Sequence, residues 1–152
     1  MSPVRIENRK ARHLYEISDT YECGIELVGC EVKSIRMGNA NIKNSYGRVK
    51  DGEIWLHDLH ISRYKYASLD MPDPERPRKL LLKKSEIRKL KRGVEEKGMT
   101  LIPLAIYFND RGYCKVLLAV CRGKREFQKK DSVKERDMQR AQDREARGGE
   151  TW

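Results

Sequence analysis

The sequence predicts a mainly β protein with helices: a small antiparallel barrel or curved sheet, with attached helices packed outside it and a C-terminal tail. Short strand-like segments occur mostly as hairpins, and two helix patterns lie between them instead of a regular β-α-β alternation. Residues 122–152 are mostly charged and carry few apolar side chains, too few to offset the entropy of ordering. We therefore divide the chain into a β-barrel body, 1–121, and a tail, 122–152.

Two strand-like segments and a short helix begin the body. The strand-like segments cover 12–17 and 24–28. A helix is predicted over Cys30–Met37, where the apolar side chains share one side and Gly38 is placed to end it. The connection between the two strand-like segments is expected to run through three polar residues, Asp19, Thr20 and Glu22.

Two hairpins follow. Segments 42–50 and 53–61 are joined by Asp51-Gly52, a dipeptide whose positive φ angles suit a tight turn. Segments 100–108 and 112–121 are joined through residues 109–112, and apolar residues alternate along the last strand. Both strands of the second hairpin are apolar enough to be central in a sheet.

A loop and a basic helix separate the hairpins. Three prolines between residues 62 and 79 disfavour regular structure there. Ser85 is placed to cap a helix that runs to Lys97 and ends at Gly98. Nine Lys and Arg residues against one acid lie between residues 76 and 92, so this is the most basic part of the body.

The charge of the chain indicates a polyanionic partner. The formal net charge is +10, and only 10 of the 33 basic residues lie in the tail, so the body is basic as well. Neutralising phosphates and releasing their counterions supplies much of the affinity of proteins for nucleic acids. We expect an RNA partner and no membrane.

The cysteines and histidines indicate neither a metal nor a cofactor. Four cysteines lack C-x-x-C spacing, which fits unpaired thiols in a reducing cytoplasm. His57 and His60 could form a metal pair, but surface or packing roles are the favoured interpretation. The sequence contains no apolar segment long enough to span a bilayer.

No catalytic motif supports an enzyme. The chain lacks a P-loop, a dinucleotide fingerprint, H-E-x-x-H and G-x-S-x-G. The scattered carboxylates Glu22, Glu26, Glu31 and Asp58 could supply acid-base chemistry for a nuclease, and a Cys-His pair could act as a nucleophile. We predict no enzymatic activity, with the nuclease as the weakest of three alternatives.

Two segments favour RNA binding. Residues 8–15 combine amide, guanidinium, imidazole and phenol groups, which contact phosphates and stack on unpaired bases, although a frayed basic terminus with a core Tyr15 fits equally well. Residues 76–84 join basic side chains to three leucines. A barrel of oligonucleotide-binding type is therefore a natural candidate, and a general single-strand or ribosome-associated RNA-binding protein is an open alternative.

Seven short stretches, spread over nearly the whole chain, carry a family resemblance. They are N-R-K-A-R-H at 8–13, E-C-G-I at 22–25, G-C-E-V-K-S-I-R-M-G-N-A-N at 29–41, N-S-Y at 44–46, V-K-D-G-E at 49–53, D-P-x-R-x-R-K-L-L-L at 73–82 and G-K at 123–124. The stretch at 29–41 followed by the stretch at 73–82 is a specific combination. On these stretches the chain resembles the SsrA-binding protein family, small protein B, of bacterial trans-translation.

The resemblance implies an oligonucleotide-binding barrel that binds the tRNA-like domain of transfer-messenger RNA and delivers it to stalled ribosomes for ribosome rescue and tagging of nascent chains. It also implies a monomer when bound to RNA. Family residues matching Asn8, Glu22 and Leu81 take part in RNA binding, and those matching His13 and Tyr15 lie near the RNA. The residues expected to bind RNA are Asn8, Arg9, Lys10, His13, Tyr15, Glu22, Lys33, Arg36, Asn41, Arg78, Lys79, Leu81 and Lys124.

Composition alone favours a tail that stays solvated over one that orders on a charged partner. The resemblance, in contrast, gives the tail a role. In the family the tail is unstructured in free protein and becomes helical in the empty message channel near the decoding centre of the small ribosomal subunit. The ribosome-contacting residues are then expected to be Lys129, Lys130, Lys134 and Arg136. The usual Asp-Lys-Arg element of the family is replaced here by Gln128-Lys129-Lys130, which keeps positive charge but loses the bidentate geometry of arginine.

Overall fold

The computed structural model describes residues 4–63 and 72–123, and this part of the chain is mainly β. Its elements, in chain order, are β1 (Arg5–Glu7), α1 (Ala11–Leu14), β2 (Tyr15–Ile25), α2 (Gly29–Arg36), β3 (Ala40–Asn41), β4 (Tyr46–Lys50), β5 (Glu53–His57), β6 (His60–Ile61), β7 (Arg78–Leu81), α3 (Lys84–Lys97), β8 (Thr100–Phe108) and β9 (Cys114–Gly123).

Seven strands form one antiparallel sheet in the order β1-β8-β4-β5-β7-β2-β9. Strands β8 and β9 also pair with each other, so six of these strands close into a ring and β1 extends it along β8. The ring closes between β4 and β8 where Gly47 lies opposite Leu101. This barrel-like arrangement confirms the predicted mainly β fold with helices.

The core lies inside the ring, and helices contribute to it. Ile35 of α2 and the α3 residues Ile87 and Leu90 belong to the same buried cluster as the inward side chains of the strands. A second cluster lies on the opposite face of β8 and β9, where Ala11 of α1 covers them. Its buried members are Ala11, Ile102, Leu104, Ala119 and Cys121. Both faces of the β8–β9 hairpin are therefore partly buried.

Both predicted hairpins are present. Asp51 and Gly52 have φ angles of 53° and 75°, as the tight turn between β4 and β5 requires. The first hairpin is shorter than predicted, because Asp58 takes a φ of 58° and separates β5 from β6. Residues 42–45 precede β4 without joining it, whereas β3 and β6 pair in a small separate sheet.

The prediction for the N-terminal segment was wrong in three places. Residues 12–14 belong to α1, and the predicted connection between two strands is the middle of one continuous strand, β2. Strand β2 also ends at Ile25, three residues before the predicted end at Val28. The register of β2 against β9 shifts between Ile17 and Asp19, which marks a bulge or irregularity. Pairing with β9 therefore overrides the local turn preference of the polar residues 19–22.

The predictions for α2, α3 and the loop need smaller corrections. Helix α2 covers Gly29–Arg36, one residue earlier at each end than predicted. Helix α3 begins at Lys84, and the backbone N–H of Lys83 donates to Glu86 Oε1 at 3.0 Å, so Ser85 is not the cap. Gly98, in the left-handed region at φ 66°, ends α3 as predicted. The predicted loop over 62–79 ends at Pro77, since β7 begins at Arg78, and its residues 64–71 lie outside the described part.

Strand β9 extends to Gly123, beyond the predicted end of the body at residue 121. Within residues 4–63 and 72–123, no helix combines the length and the apolar character needed to cross a membrane.

Candidate nucleic-acid interface

A row of residues crosses five neighbouring strands on the outside of the ring. Leu81 of β7 lies opposite Gly24 of β2, Gly24 opposite Lys115 of β9, Lys115 opposite Tyr107 of β8, and Tyr107 opposite Arg5 of β1. Residues that lie opposite each other on antiparallel strands share a face of the sheet. The chain neighbours Ile25, Val116 and Ile106 belong to the inner core, so this row faces outward. We call these five residues the outer row.

A second row runs beside the outer row, and Glu22 links the two. Glu22, Leu117 and Ala105 are opposite one another on β2, β9 and β8. The hydroxyl of Tyr107 donates a hydrogen bond to Glu22 Oε2. Burial and this hydrogen bond raise the pKa of Tyr107 to about 12, so the phenol keeps its proton and remains the donor. The Glu22 carboxylate is thereby fixed as an exposed acceptor, suited to a ribose hydroxyl or a base amine.

Arg5 and Leu81 mark the two ends of the outer row. The guanidinium carbon of Arg5 lies 5.0 Å from the centre of the Tyr107 ring, a cation-π contact. At the other end, a Cβ atom on Gly24 would lie 3.2 Å from the Leu81 Cβ, so the glycine leaves room for that side chain. Leu81 is 46% exposed. The outer row thus combines cationic, aromatic and apolar groups, which suit phosphates, bases and sugars respectively.

Lys79 lies beside the outer row on the same side of β7, two residues before Leu81. Its ammonium is 3.6 Å from Glu53 Oε2, and both side chains are partly exposed. An exposed ion pair of this kind contributes little stability, so a phosphate can compete with Glu53 for the lysine.

A basic cleft adjoins the Arg5 end of the outer row. Arg5, Glu7, Asn8, Arg9, Arg12 and Leu104 line a cleft of about 370 Å³. Arg5 donates to Glu7, and this hydrogen bond holds the pKa of Glu7 below its ordinary value. Three guanidinium groups against one carboxylate leave the cleft with a net positive charge, as a phosphate site requires.

Asn8, predicted to contact RNA, is buried beneath that cleft. Its side-chain nitrogen donates to the backbone oxygens of Pro103 at 3.2 Å and Ile42 at 3.4 Å, and its backbone N–H donates to Leu104. These hydrogen bonds hold the turn that contains Arg9 against β8. The structure gives it a positioning role for the cleft.

Arg78 was predicted to contact RNA, but the structure buries it completely. Its Nη2 donates to Glu31 Oε2 at 2.6 Å, its Nε donates to the same oxygen at 3.1 Å, and Nη1 donates to the Leu59 carbonyl. Arg76 donates to the same carboxylate from the surface side, with Nη2 2.7 Å from Glu31 Oε1. Arg78 and Glu31 therefore hold β7 and the preceding segment against α2 and present no charge to a ligand.

The electrostatics of Glu31 fit this interior role. Burial alone would raise the pKa of the carboxyl, but the hydrogen bonds from Arg76 and Arg78 outweigh burial and lower it. Glu31 is therefore ionised at neutral pH and balances the guanidinium of Arg78. Its use as an acid-base catalyst, weighed from the sequence, loses support.

The other predicted residues lie around the outer row or on different elements. Tyr15 is half-buried against the second cluster, and burial raises its pKa. Arg36 reaches the β8–β9 turn, where its guanidinium carbon lies 4.1 Å from the centre of the Phe108 ring. Lys10 and His13 lie in or beside α1, and Lys33 and Asn41 lie on α2 and β3. Lys124, Lys129, Lys130, Lys134 and Arg136 lie outside the described residues.

Sequence reasoning missed Arg5, Tyr107 and Lys115. The alternation along β9 places Lys115 on the outward side, so that signal was available. Strand β8 is apolar and buried from residue 101 to residue 106, so its sequence does not show which way Tyr107 faces. The pairing of β1 with β8 has no local signal, because it joins residues about a hundred positions apart. The position of Arg5 beside Tyr107 could therefore be seen only in the folded structure.

Metal binding and thiol chemistry have little support among the described residues. Within 4–63 and 72–123, no three side chains of His, Cys, Asp or Glu are grouped to hold a metal ion. Burial raises the pKa of Cys23 and Cys114 to about 12 and that of Cys121 to about 11, so these thiols stay protonated at neutral pH. His57 stacks on Tyr46, and His60 lies 3.2 Å from Glu75.

Fold and surface together define a small β-ring protein with a cationic and aromatic outer face, the class to which RNA-binding barrels belong. The model of the SmpB protein family matches residues 5–148. The chain is 53% identical over 137 residues to the SsrA-binding protein of Moorella thermoacetica, covering 90% of this chain and 88% of that one. It is 52% identical over 141 residues to the SsrA-binding protein of Thermus thermophilus, covering 93% and 97%.

A solved structure called "tmRNA-SmpB: a journey to the center of the bacterial ribosome" contains a chain that is similar in three dimensions. Its TM-score is 0.69 at 52% identity, over 86% of this chain and 94% of that chain. The chain described here belongs to the SmpB family.

Proposed function

We propose that this protein is an RNA-binding adaptor that binds the tRNA-like domain of transfer-messenger RNA and delivers it to stalled ribosomes for trans-translation. The observation that carries the proposal is the outer row with its adjoining basic cleft, in a chain that belongs to the SmpB family. The protein works in the cytoplasm as a monomer on its RNA and catalyses no reaction.

In this proposal, three groups of contacts recognise the RNA. The guanidinium groups of the cleft bind backbone phosphates and set the orientation of the protein. Glu22, held by Tyr107, accepts a hydrogen bond that distinguishes a ribose hydroxyl or base amine from a bare phosphate. Leu81, exposed over Gly24, contacts an apolar face of a base or sugar.

The body and the tail have separate tasks in this proposal. The body, whose last strand ends at Gly123, binds the folded RNA by shape and charge, whereas the tail that follows it contacts ribosomal phosphates in the message channel. Residues 129–147 carry charges of both signs and contain neither Pro nor Gly, a composition that suits a helix formed on a charged partner.

Binding to transfer-messenger RNA and to an unstructured RNA of equal length, across a salt series, tests the RNA-binding step. We expect tight, specific binding to the transfer-messenger RNA and a fall of log affinity with log salt whose slope reflects several phosphate contacts. Equal binding to both RNAs would instead favour a general RNA-binding protein.

Lys79→Ala tests the surface itself. Loss of one phosphate contact should reduce the salt slope by about one unit and leave stability almost unchanged. Lys91→Ala, an exposed lysine on α3, is the matched control and should keep the wild-type slope. Equal effects of the two substitutions would show that overall charge, and not the face carrying the outer row, governs binding.

Truncation after Gly123 tests the division between body and tail. The truncated protein should keep its affinity for transfer-messenger RNA, because the described strands end at Gly123, and it should fail to support tagging on stalled ribosomes. Loss of RNA affinity in this variant would refute separate tasks for body and tail.

A further inference from the structure

Tyr113 is an exposed aromatic residue that the proposed RNA contacts do not use. It lies in the turn between β8 and β9 and is 64% exposed. A single exposed apolar residue is ordinary on a protein surface and is not in itself a binding site. Tyr113 is of interest because it lies close to the outer row, two residues before Lys115.

Tyr113 continues the outward side of β9 beyond the outer row. It precedes Lys115 by two residues, while the intervening Cys114 packs against the inner core. The backbone N–H of Asn109 donates to the Tyr113 carbonyl at 2.9 Å, so the pairing of the two strands carries on into the turn. Asn109 and Tyr113 therefore extend the sheet face that carries Tyr107 and Lys115.

The turn that carries Tyr113 is held by hydrogen bonds. Asn109 Oδ1 accepts the backbone N–H groups of Arg111 at 3.0 Å and Tyr113 at 2.9 Å. Gly112 takes a φ of 85°, which favours glycine at this position. A turn fixed in this way loses little entropy when its aromatic side chain meets a ligand.

Arg36 anchors the same turn from α2. It donates from Nη2 to the Gly112 carbonyl at 3.1 Å and lies over the Phe108 ring. Arg36 was predicted to contact RNA, and these contacts also assign it a positioning role for the turn. Arg111 is exposed in the same turn, next to the exposed Asp110.

An exposed aromatic ring on a rigid turn, at the end of a face that carries Lys115 and Arg5, has the chemistry of a stacking platform. Unpaired bases of folded RNA stack on such rings, while neighbouring guanidinium groups attract the phosphates on either side. We propose that Tyr113 stacks on an unpaired base of the RNA bound by the outer row. This inference rests on the proposed function and names one contact of the same surface.

The test compares binding of transfer-messenger RNA to the full-length wild type, Y113F, Y113L and Y113A across a salt series. Y113F keeps the ring and should bind within about twofold of wild type, whereas Y113L and Y113A should each lose roughly tenfold, about 1.4 kcal/mol. The salt slope should be the same for all four proteins, because stacking releases no counterions.

Three results would overturn the inference: wild-type affinity in Y113A, equal affinities for Y113L and Y113F, or a reduced salt slope in Y113A. Melting temperatures of the four proteins show whether the fold is equally stable in each. Failure of the wild type to prefer transfer-messenger RNA would overturn the proposed function itself. Tight wild-type binding with an unaffected Y113A would overturn the stacking contact alone.

Discussion

Replacing Glu31 with alanine should destabilise the protein more than any substitution on the outer row. The Glu31 side chain is 2% exposed, and it faces the guanidinium of Arg78, which is 0% exposed. Glu31 also accepts hydrogen bonds from Arg76 and from the backbone N–H of Val28 at the start of α2. Glu31→Ala therefore leaves a fully buried positive charge without its counter-ion.

The burial of the pair sets the size of the effect. Removing one partner of a buried ion pair costs about 3–5 kcal/mol, because the other charge stays buried without compensation. Arg76 is 30% exposed, so its interaction with Glu31 is screened by water and contributes much less. We expect Glu31→Ala to lower the free energy of unfolding by about 3–5 kcal/mol.

Urea unfolding of the full chain measures this change. Glu75→Ala is the matched control: Glu75 immediately precedes Arg76 in the chain, but it is 63% exposed and pairs with His60, so we expect a loss under about 1 kcal/mol. A loss below about 1 kcal/mol for Glu31→Ala as well would refute the reasoning, since it would place the buried pair in the range of exposed pairs.

The pairing of Glu31 with Arg78 also predicts that the free energy of unfolding depends on pH. The pKa of Glu31 is lower in the folded protein than its ordinary value of 4.5, so its contribution to stability is present above that pH and is lost as the pH falls through the folded pKa. The difference in unfolding free energy between the wild type and Glu31→Gln should therefore shrink below pH 4.5. A difference that stays constant with pH would contradict an ionised Glu31.

Two further substitutions test the outer row and the closure of the ring. Tyr107→Phe removes the hydrogen bond that holds Glu22, so affinity for transfer-messenger RNA should fall by about fivefold with little change in melting temperature. Unchanged affinity would exclude a positioning role for the hydroxyl. Gly47→Ala would place a Cβ atom 2.8 Å from the Leu101 Cβ and should cost about 1–3 kcal/mol in urea unfolding. Gly29→Ala, where no atom lies within 4 Å, is the matched control and should be neutral or stabilising; equal losses at both glycines would show that the close approach to Leu101 is not the cause.

The sequence predicts well those parts of the fold that depend on neighbouring residues. The turn at Asp51-Gly52 and the end of α3 at Gly98 follow from the backbone angles that these residues favour. The strand β2 could not be predicted in this way, because its polar centre is held by β9, about a hundred residues away. Tertiary pairing outweighs local preference there.

The candidate interface shows the same limit. Lys79 and Arg78 look equivalent in a run of basic residues, yet adjacent residues of a strand point to opposite sides, so one faces solvent and the other faces Glu31. Nothing in the charge pattern identifies Glu31, 47 residues earlier, as the partner. The family resemblance predicts Glu22 and Leu81, and the structure adds Tyr107, which donates to Glu22, and Arg5, which lies over the Tyr107 ring.

The pairing of the first strands with the last ones has a consequence for how the protein is made. Strands β1 and β2 are synthesised early, but their partners β8 and β9 end at Phe108 and Gly123. A nascent chain emerges from its N-terminus, so the outer row and the basic cleft cannot assemble until nearly the whole body has left the exit tunnel. An incomplete copy of the protein, released from a broken message, would therefore lack the proposed RNA-binding surface, and we expect it not to compete with intact copies for RNA.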